Sequence, residues 1–210
     1  MNSSLKAWYL YLREQLARSL RRWLTTTPLL TKLSLPPKPY RVNTGHPQHI
    51  SIVLVGCGGT GSFAAHILAQ LAAWAKASGL DLRLILVDYD TVEEKNLVRQ
   101  NFCPAEIGYP KAFTLAWRYS AAFGIKITPV VGKFSAQVLQ EHLPNRHTEH
   151  GSLLIIVGAV DNAAARRDIV TAIEQRQGLA ALLREDIWWI DSGNERVAGQ
   201  VLAGNVFATE

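Results

Sequence analysis

Residues 50–61 read Ile-Ser-Ile-Val-Leu-Val-Gly-Cys-Gly-Gly-Thr-Gly, and this stretch decides the fold. An apolar run of strand length leads into a Gly-x-Gly-x-x-Gly loop, and residues 62–77 continue with an Ala-rich helical pattern. In such a strand–loop–helix unit Gly56 permits a tight turn, Gly58 lets the backbone approach a phosphate, and Gly61 lets the helix pack on the strand. The N-terminus of the helix offers unpaired N–H groups to an anion. The predicted phosphate-binding residues are Gly56, Gly58, Gly59 and Gly61.

The rest of the chain alternates strand-like and helix-like segments. Strands are predicted at residues 50–55, 82–87, 126–131, 153–157 and 187–190, with a sixth beginning at 199–202, and helices at residues 62–77, 111–123, 135–142 and 163–177. Pro110 would open the second helix, and Ser135 would cap the third. Alternation of this kind predicts βαβ units, and therefore an α/β fold with a Rossmann-like, mostly parallel sheet and helices on both faces.

Residues 1–40 are predicted to form a segment apart from the α/β domain, which would occupy residues 41–210. Leu5, Trp8, Leu12 and other apolar residues recur at helical spacing between arginines, which predicts a basic amphipathic helix followed by a Pro-rich linker. A single apolar stripe is typical of any docked helix. We therefore interpret this arm as packing on its own domain or on a second subunit rather than on a membrane surface.

Length and composition exclude several classes of protein. The chain has 210 residues, enough for one α/β domain with a sizeable core. No apolar run approaches the ~20 residues that a membrane-spanning helix needs. The two cysteines form neither a disulfide framework nor a zinc pattern, which fits a cytoplasmic protein. The net charge of +5 is mild and indicates a solvated basic face, so nucleic acid is not an expected partner.

The second predicted strand ends at Asp88. A carboxylate at this place in a Rossmann-type sheet accepts hydrogen bonds from ribose hydroxyls. Together with the glycine loop, Asp88 predicts a nucleotide that carries a ribose and phosphates. These two features by themselves leave ATP and NAD equally open.

Three further motifs narrow the class of protein. In chain order they are Asn96-Leu97-Val98-Arg99-Gln100, then Gly108-Tyr109-Pro110-Lys111, and then Ala159-Val160-Asp161-Asn162 followed by Arg166. Together with the glycine loop, these motifs extend over residues 50–203. This region resembles the ThiF/MoeB family of adenylating enzymes, which activate ubiquitin-like proteins. Within that family the glycine loop and its flanks are most similar to the ThiF-like proteins of bacterial PRTRC-type gene clusters.

The resemblance implies an enzyme that uses ATP and Mg²⁺ to adenylate a carboxylate, above all the C-terminal glycine of a ubiquitin-like or sulfur-carrier protein. Adenylation builds up charge on phosphoryl oxygens, so the site needs fixed cations. The family's catalytic roles would fall on Arg99 and Lys111 as the cations and on Asp161 as the Mg²⁺ ligand, while Asn96 would contact phosphate and Asp88 would bind the ribose. The family also implies a homodimer. In some relatives an arginine from the partner's N-terminal segment completes the ATP site, and the candidates for that role here are Arg13, Arg18, Arg21 and Arg22.

The chain departs from the family in two respects. No cysteine follows Asp161, so no residue matches the nucleophile that forms a thioester in many relatives, and the paired C-x-x-C zinc motifs of other relatives are absent. The C-terminal part of the family fold is expected to be missing after Glu210. The adenylation residues are thus present without the transfer residues.

Several alternatives stay open on the sequence. The chain would be a non-catalytic scaffold subunit of such a system, a tRNA-modifying dehydratase or, ranked last, an NAD(P)-dependent dehydrogenase, in which the Arg-Gln and Pro-Lys motifs have no role. Independently of these, an alternative role for Asp161 is the N-terminal cap of the helix that begins near Ala163.

Overall fold

The structure is a computed structural model that describes residues 47, 49–143, 151–183, 185–194 and 199–205. The arm predicted in residues 1–40 lies outside the described residues, so its helix stays a prediction. Within the described part of the chain, no helix combines the length and the apolar character needed to cross a bilayer.

A six-stranded sheet forms the centre of the described fold. Its strands are β1 (His49–Val55), β2 (Asp81–Asp88), β3 (Ile127–Val131), β4 (Ser152–Gly158), β5 (Glu185–Asn194) and β6 (Gly199–Asn205). They lie in the order β3-β2-β1-β4-β5-β6. The first five are parallel, and β6 runs antiparallel to β5. This topology confirms the predicted Rossmann-like α/β fold.

Helices cover both faces of the sheet because the central strands are apolar on both sides. The helices are α1 (Gly59–Ala77), α2 (Lys111–Phe123), α3 (Ala136–His142) and α4 (Ala163–Leu183). Ile52 and Leu54 of β1 belong to the core under α1 and α2. Val53 and Val55, the alternate residues of the same strand, belong to the core under α3 and α4. The Ala-rich face of α1 is buried, which allows this helix to approach the sheet closely.

The structure differs from the sequence prediction mainly at element ends. Helix α1 begins at Gly59, inside the glycine loop, and α4 continues to Leu183, well past the predicted end at Gln177. The helix continues through Gly178, a poor helix former, and buries Ala180 in the core, so packing overrides local propensity. Ser135 holds the N-cap position of α3 without a side-chain capping bond. Two 3-10 turns, Glu94–Asn96 and Pro104–Glu106, are too short to show a periodic pattern.

The carboxyl edge of the sheet brings distant segments together. Strands β1 and β4 are neighbours, yet β1 leads into α1 on one face while β4 leads into α4 on the other. Such a point, where strand order reverses, is where open α/β sheets bind ligands. Gly56 N donates to Val87 O at 2.9 Å and Ala159 N donates to Val55 O at 2.8 Å, so the loops after β1, β2 and β4 are adjacent.

Candidate nucleotide site

A cavity of about 530 Å³ opens at this carboxyl edge. It is lined by all but one of the residues predicted from the sequence: Gly56, Gly58, Gly59, Asp88, Asn96, Arg99, Lys111 and Asp161. The exception is Gly61, which is buried within α1 against the glycine loop. The fold therefore gathers residues from four separate motifs around one space.

The four glycines of the loop have two different surroundings. Gly56 has φ +91°, and a Cβ there would stand 2.7 Å from Ala159 O. A Cβ on Gly61 would stand 1.9 Å from Gly56 O, so this position holds the helix against the strand. Gly58 and Gly59 have no protein atom within 4 Å of an added Cβ, except Gln100 Nε2 at 4.0 Å from that of Gly58. These two glycines leave an open space at the N-terminus of α1, where an anion is favoured.

Asp88 ties the glycine loop to the end of β2. Its Oδ2 accepts a hydrogen bond from Cys57 N at 2.6 Å, and its Oδ1 accepts one from Asp90 N at 2.7 Å. Burial raises the pKa of the Asp88 carboxyl, although these two N–H groups and the Lys111 ammonium favour its charged form. Asp88 thus has a structural role that the sequence did not predict, besides its predicted contact with a ribose.

Lys111 is a fixed cation on the cavity wall. It is only 5% exposed, and its Nζ lies 3.1 Å from Asp90 Oδ2. Its backbone N donates to Asp90 O at 2.9 Å, and an isolated antiparallel bridge joins Thr91 to Pro110 beside it. Asp90 therefore lies in the site as the partner that orients this ammonium.

Asn96 ends the first 3-10 turn and Arg99 follows it, and the two side chains have opposite surroundings. Asn96 is buried, and its Oδ1 accepts a hydrogen bond from Glu93 N at 2.9 Å, which closes the turn. Arg99 is exposed, and its guanidinium forms no ion pair with any other described residue. Arg99 can therefore reorient toward an anion without breaking an existing contact, whereas Asn96 is held in place.

Asp161 lies on the turn between β4 and α4. Asn162, not Asp161, caps the helix, because its Oδ1 accepts a hydrogen bond from Ala165 N at 2.8 Å. The interpretation of Asp161 as the cap is therefore wrong. The Asp161 carboxylate is exposed, and its Oδ1 accepts a hydrogen bond from Asn162 Nδ2 at 3.2 Å. Arg166 holds the turn: its Nε lies 2.9 Å from Asp191 Oδ2, and its Nη2 donates to Val160 O at 2.9 Å.

The acidic side chains of the larger cavity suit a magnesium ion that is bound together with a nucleotide. They are less suited to a metal held by protein ligands alone. Among the described residues no cluster of three or more His, Cys, Asp or Glu side chains is arranged to hold a metal. Nucleotide-bound Mg²⁺ needs only one or two carboxylates, since phosphates and waters supply its other ligands. Asp161 is an exposed carboxylate on the cavity wall and has no cationic partner among the described residues, so it meets this requirement.

A smaller cavity of about 120 Å³ adjoins the first and was not predicted. The two cavities share Gly56, Asp88, Tyr89, Val160, Asn162 and Ala165 in their linings. The apolar walls of the smaller one include Val55 and Val87 at strand ends and Phe134 in the loop between β3 and α3. A sequence pattern could not have indicated it, because these apolar residues look like ordinary core residues until the sheet is assembled.

The fold and this site define a Rossmann-type α/β protein with a candidate nucleotide site. Residues 46–209 match the model of the ThiF family, and the chain belongs to that family. Assignment to the PRTRC-type subgroup stays a prediction.

Two relatives are similar to this chain over different shares of its length. The ubiquitin-like modifier-activating enzyme 5 of Dictyostelium discoideum is 27% identical over 206 residues, which cover 92% of this chain and 47% of that protein. The protein of the same name from Oryza sativa subsp. japonica is 31% identical over 126 residues, covering 55% of this chain and 27% of that protein. The chain thus spans about half, or less, of the length of these relatives.

Two solved structures from E. coli are also similar. The tRNA N6-threonylcarbamoyladenosine dehydratase in complex with AMP has a TM-score of 0.49 and 22% identity, covering 69% of this chain and 51% of that chain. MccB with ATP has a TM-score of 0.45 and 21% identity, and the match covers 70% of this chain and 38% of that chain.

Proposed function

We propose that this chain uses ATP to adenylate a carboxylate, and that this carboxylate is the C-terminal glycine of a ubiquitin-like or sulfur-carrier protein. One observation supports the proposal above all others. A single cavity combines an open glycine loop at a helix N-terminus, the cations Arg99 and Lys111, and the carboxylate of Asp161, which has no cationic partner among the described residues. Membership of the ThiF family and the similarity to ubiquitin-like modifier-activating enzymes favour the same reaction.

The two adjoining cavities suit the two ends of ATP. The apolar walls of the smaller cavity suit a flat base, and Asp88, which lines both cavities, would accept hydrogen bonds from the ribose between them. The triphosphate would then extend over Gly58 and Gly59 toward Arg99 and Lys111. In this arrangement the positive end of α1 and both cations surround the phosphates.

Adenylation forms one bond and breaks another. An oxygen of the substrate carboxylate attacks the α-phosphorus, the bond between that phosphorus and the oxygen bridging to the β-phosphate breaks, and pyrophosphate leaves with the bonding electrons. Negative charge grows on the phosphoryl oxygens, where prearranged cations stabilise it. Lys111 is already oriented by Asp90 and acts as a point charge, while Arg99 offers a fork of N–H donors that can follow the departing pyrophosphate.

Asp161 is the residue that would hold magnesium when the nucleotide is bound. The ion would supply further neutralisation of phosphate charge. Arg166 keeps the turn that carries Asp161 against the end of β5 through its bonds to Val160 O and Asp191. The orientation of this carboxylate therefore depends on residues that would not touch the nucleotide.

Exchange of labelled pyrophosphate into ATP tests the proposal directly. We expect exchange only when MgATP and a carrier protein ending in a free glycine carboxylate are both present. The same carrier with an amidated C-terminus has no attacking oxygen and is the matched control. Lys111→Met should reduce exchange by about 10²- to 10³-fold, as loss of one transition-state contact does. The exposed Lys126→Met should leave it unchanged.

Two results would contradict the proposal. ATP binding without exchange for a panel of Gly-terminated carriers would favour a non-catalytic scaffold subunit. Binding of NAD in place of ATP would favour a dehydrogenase.

A further inference from the structure

The loop that carries Arg99 is fixed to both helices on its face of the sheet. Asn101, two residues further along, donates from its backbone N to Ser62 Oγ of α1 at 2.9 Å. The side chain of Asn101 donates from Nδ2 to Tyr119 Oη of α2, also at 2.9 Å. The guanidinium of Arg99 is exposed, but the backbone from which it extends is therefore attached to two helices.

Arg118 of α2 joins two separate points of the same loop. Its Nη1 donates to Asn101 O at 3.0 Å, and its Nε donates to Glu106 Oε1 at 2.9 Å. Glu106 Oε2 also accepts a hydrogen bond from Cys103 N at 2.8 Å. Burial would raise the pKa of the Glu106 carboxyl, but the hydrogen bonds from Arg118 and Cys103 lower it below its ordinary value. One planar guanidinium thus holds both a backbone carbonyl near Arg99 and an ionised carboxylate.

Helix α2 carries both Arg118 and one of the cations of the candidate site. Lys111 is the first residue of this helix, and Arg118 follows seven positions later, which is about two turns and places both on one face. Arg118 does not line the larger cavity, and neither do Asn101 and Glu106. Arg118 would therefore act on a nucleotide in that cavity only through a residue that does line it, and Arg99 is adjacent to the contacts it makes.

We propose that Arg118 is a positioning residue of the candidate nucleotide site, which sets where the guanidinium of Arg99 can reach relative to Lys111. It does so by holding the loop at Asn101 and Glu106. The space that a long side chain samples is centred on its backbone, so a shift of the loop displaces the cation, and a misplacement of about 1 Å is costly at a reacting centre. This inference rests on the proposed function, because it takes the ligand to be a nucleotide with phosphates.

A double-mutant cycle between Arg118 and Arg99 tests the assignment, with MgATP affinity measured by titration calorimetry. Arg118→Met should weaken MgATP binding by about three- to ten-fold, the size of effect expected of a residue that acts through another. In an Arg99→Met background the same substitution should have less than about a two-fold effect, because the residue through which it acts is gone. Adenosine, measured by competition, has no phosphates for Arg99 to meet and should bind all variants equally.

Two further variants separate positioning from a loss of stability. Arg118→Lys should recover part of the lost affinity, since an ammonium can reach Glu106 or Asn101 O but has no fork that holds both. It also carries the cycle if Arg118→Met does not fold. Arg83→Met is the matched control, because Arg83 Nη1 donates to His142 O at 2.8 Å and Arg83 does not line the cavity. This control should lower the unfolding midpoint and leave MgATP binding unchanged.

Three results would overturn the assignment while leaving the proposed function intact. The first is an equal loss of MgATP affinity from Arg118→Met with and without Arg99. The second is an unchanged affinity when Arg99 is present. The third is an equal loss for MgATP and adenosine, which would assign Arg118 a purely structural role. Failure of the unaltered protein to bind MgATP would overturn both the assignment and the proposed function.

Discussion

At the scale of single residues, the site separates charged groups that are held in place from groups that are free to move. Lys111 is buried and paired with Asp90, whereas Arg99 is exposed and has no ion-pair partner among the described residues. In the proposed reaction Lys111 would already be oriented when the phosphates bind, and preorganised charge of this kind is usually the largest contribution to catalysis. The exposed Arg99 would be able to follow charge as it shifts from ATP to pyrophosphate in that reaction. The two cations are therefore not equivalent.

Substitutions of the neighbouring residues Asp161 and Asn162 can be compared directly, because of these two only Asn162 caps α4. Asp161→Ala should abolish the magnesium dependence of ATP binding and leave the unfolding midpoint unchanged, since this carboxylate is exposed. Asn162→Ala should cost about 1 kcal/mol of stability through loss of the cap. Calorimetric titration with MgATP and with ATP plus EDTA, together with thermal unfolding, measures both effects. Retained magnesium dependence in a folded Asp161→Ala variant would remove this residue from the metal site.

The two cysteines should differ sharply in reactivity. Burial, with Asp88 nearby, raises the pKa of the Cys57 thiol well above its ordinary value, and Cys103 is exposed. An aromatic disulfide reagent at neutral pH should therefore titrate one thiol in the native protein and two after denaturation. The raised pKa belongs to the folded state, so this thiol's contribution to stability is complete below about pH 8.5 and is lost as pH rises above that value. Rapid native reaction of both thiols would contradict this burial.

At the scale of elements, the glycine loop and α1 act as one unit. Gly61 is needed for packing, because a Cβ there would stand 1.9 Å from Gly56 O, while a Cβ on Gly59 would meet no protein atom within 4 Å. Gly61→Ala should destabilise the protein by about 1–3 kcal/mol or more, as overpacking does. Gly59→Ala should keep or slightly raise stability and weaken ATP binding, since its methyl group enters the space left for phosphate. Chemical denaturation and ATP titration on both variants check this, and equal destabilisation would contradict it.

The turn between β4 and α4 is a second unit, held by Arg166. This guanidinium joins Val160 O to the Asp191 carboxylate and so links the turn that carries Asp161 to the end of β5. Gly158, at the end of β4, has no room for a side chain, because a Cβ would stand 2.8 Å from Asp191 Oδ1. The spacing between Asp161 and Arg166 thus has a structural reason in this chain, because Asp161 lines the cavity while Arg166 anchors the turn to the end of β5.

At the scale of the whole molecule, the sheet order brings together residues that are far apart in the chain. Gly58 follows β1, Asp88 ends β2, and Asp161 follows β4, while Lys111 begins α2 after the long loop from β2. All four line one cavity because β2, β1 and β4 are neighbours in the sheet. The predicted homodimer and the predicted arginine from a partner's N-terminal segment stay predictions.

Ligand-dependent unfolding is the test that belongs to this scale. A ligand at about 100 times its dissociation constant stabilises a protein by roughly 2.7 kcal/mol, which corresponds to an upward shift of roughly 5–10 °C for a domain of this size. We expect such a shift with MgATP, a smaller one with ATP plus EDTA, and none with NAD, measured by thermal unfolding of the purified chain. A shift with NAD alone would contradict the choice of nucleotide.

The sequence by itself determined the order of strands and helices, the glycine loop and the family. Apolar periodicity and glycine spacing are local, so they can be read without the fold, and α2 was predicted with the bounds Lys111–Phe123 that the structure has. The 3-10 turns, the extension of α4 and the role of Asn162 as cap depended on packing and on hydrogen bonds that no periodicity reports. Only the tertiary structure decided that Asp88 holds Cys57, that Asp90 orients Lys111, and that Gln100 faces Gly58, because each contact joins residues brought together by the pairing of separate strands and loops.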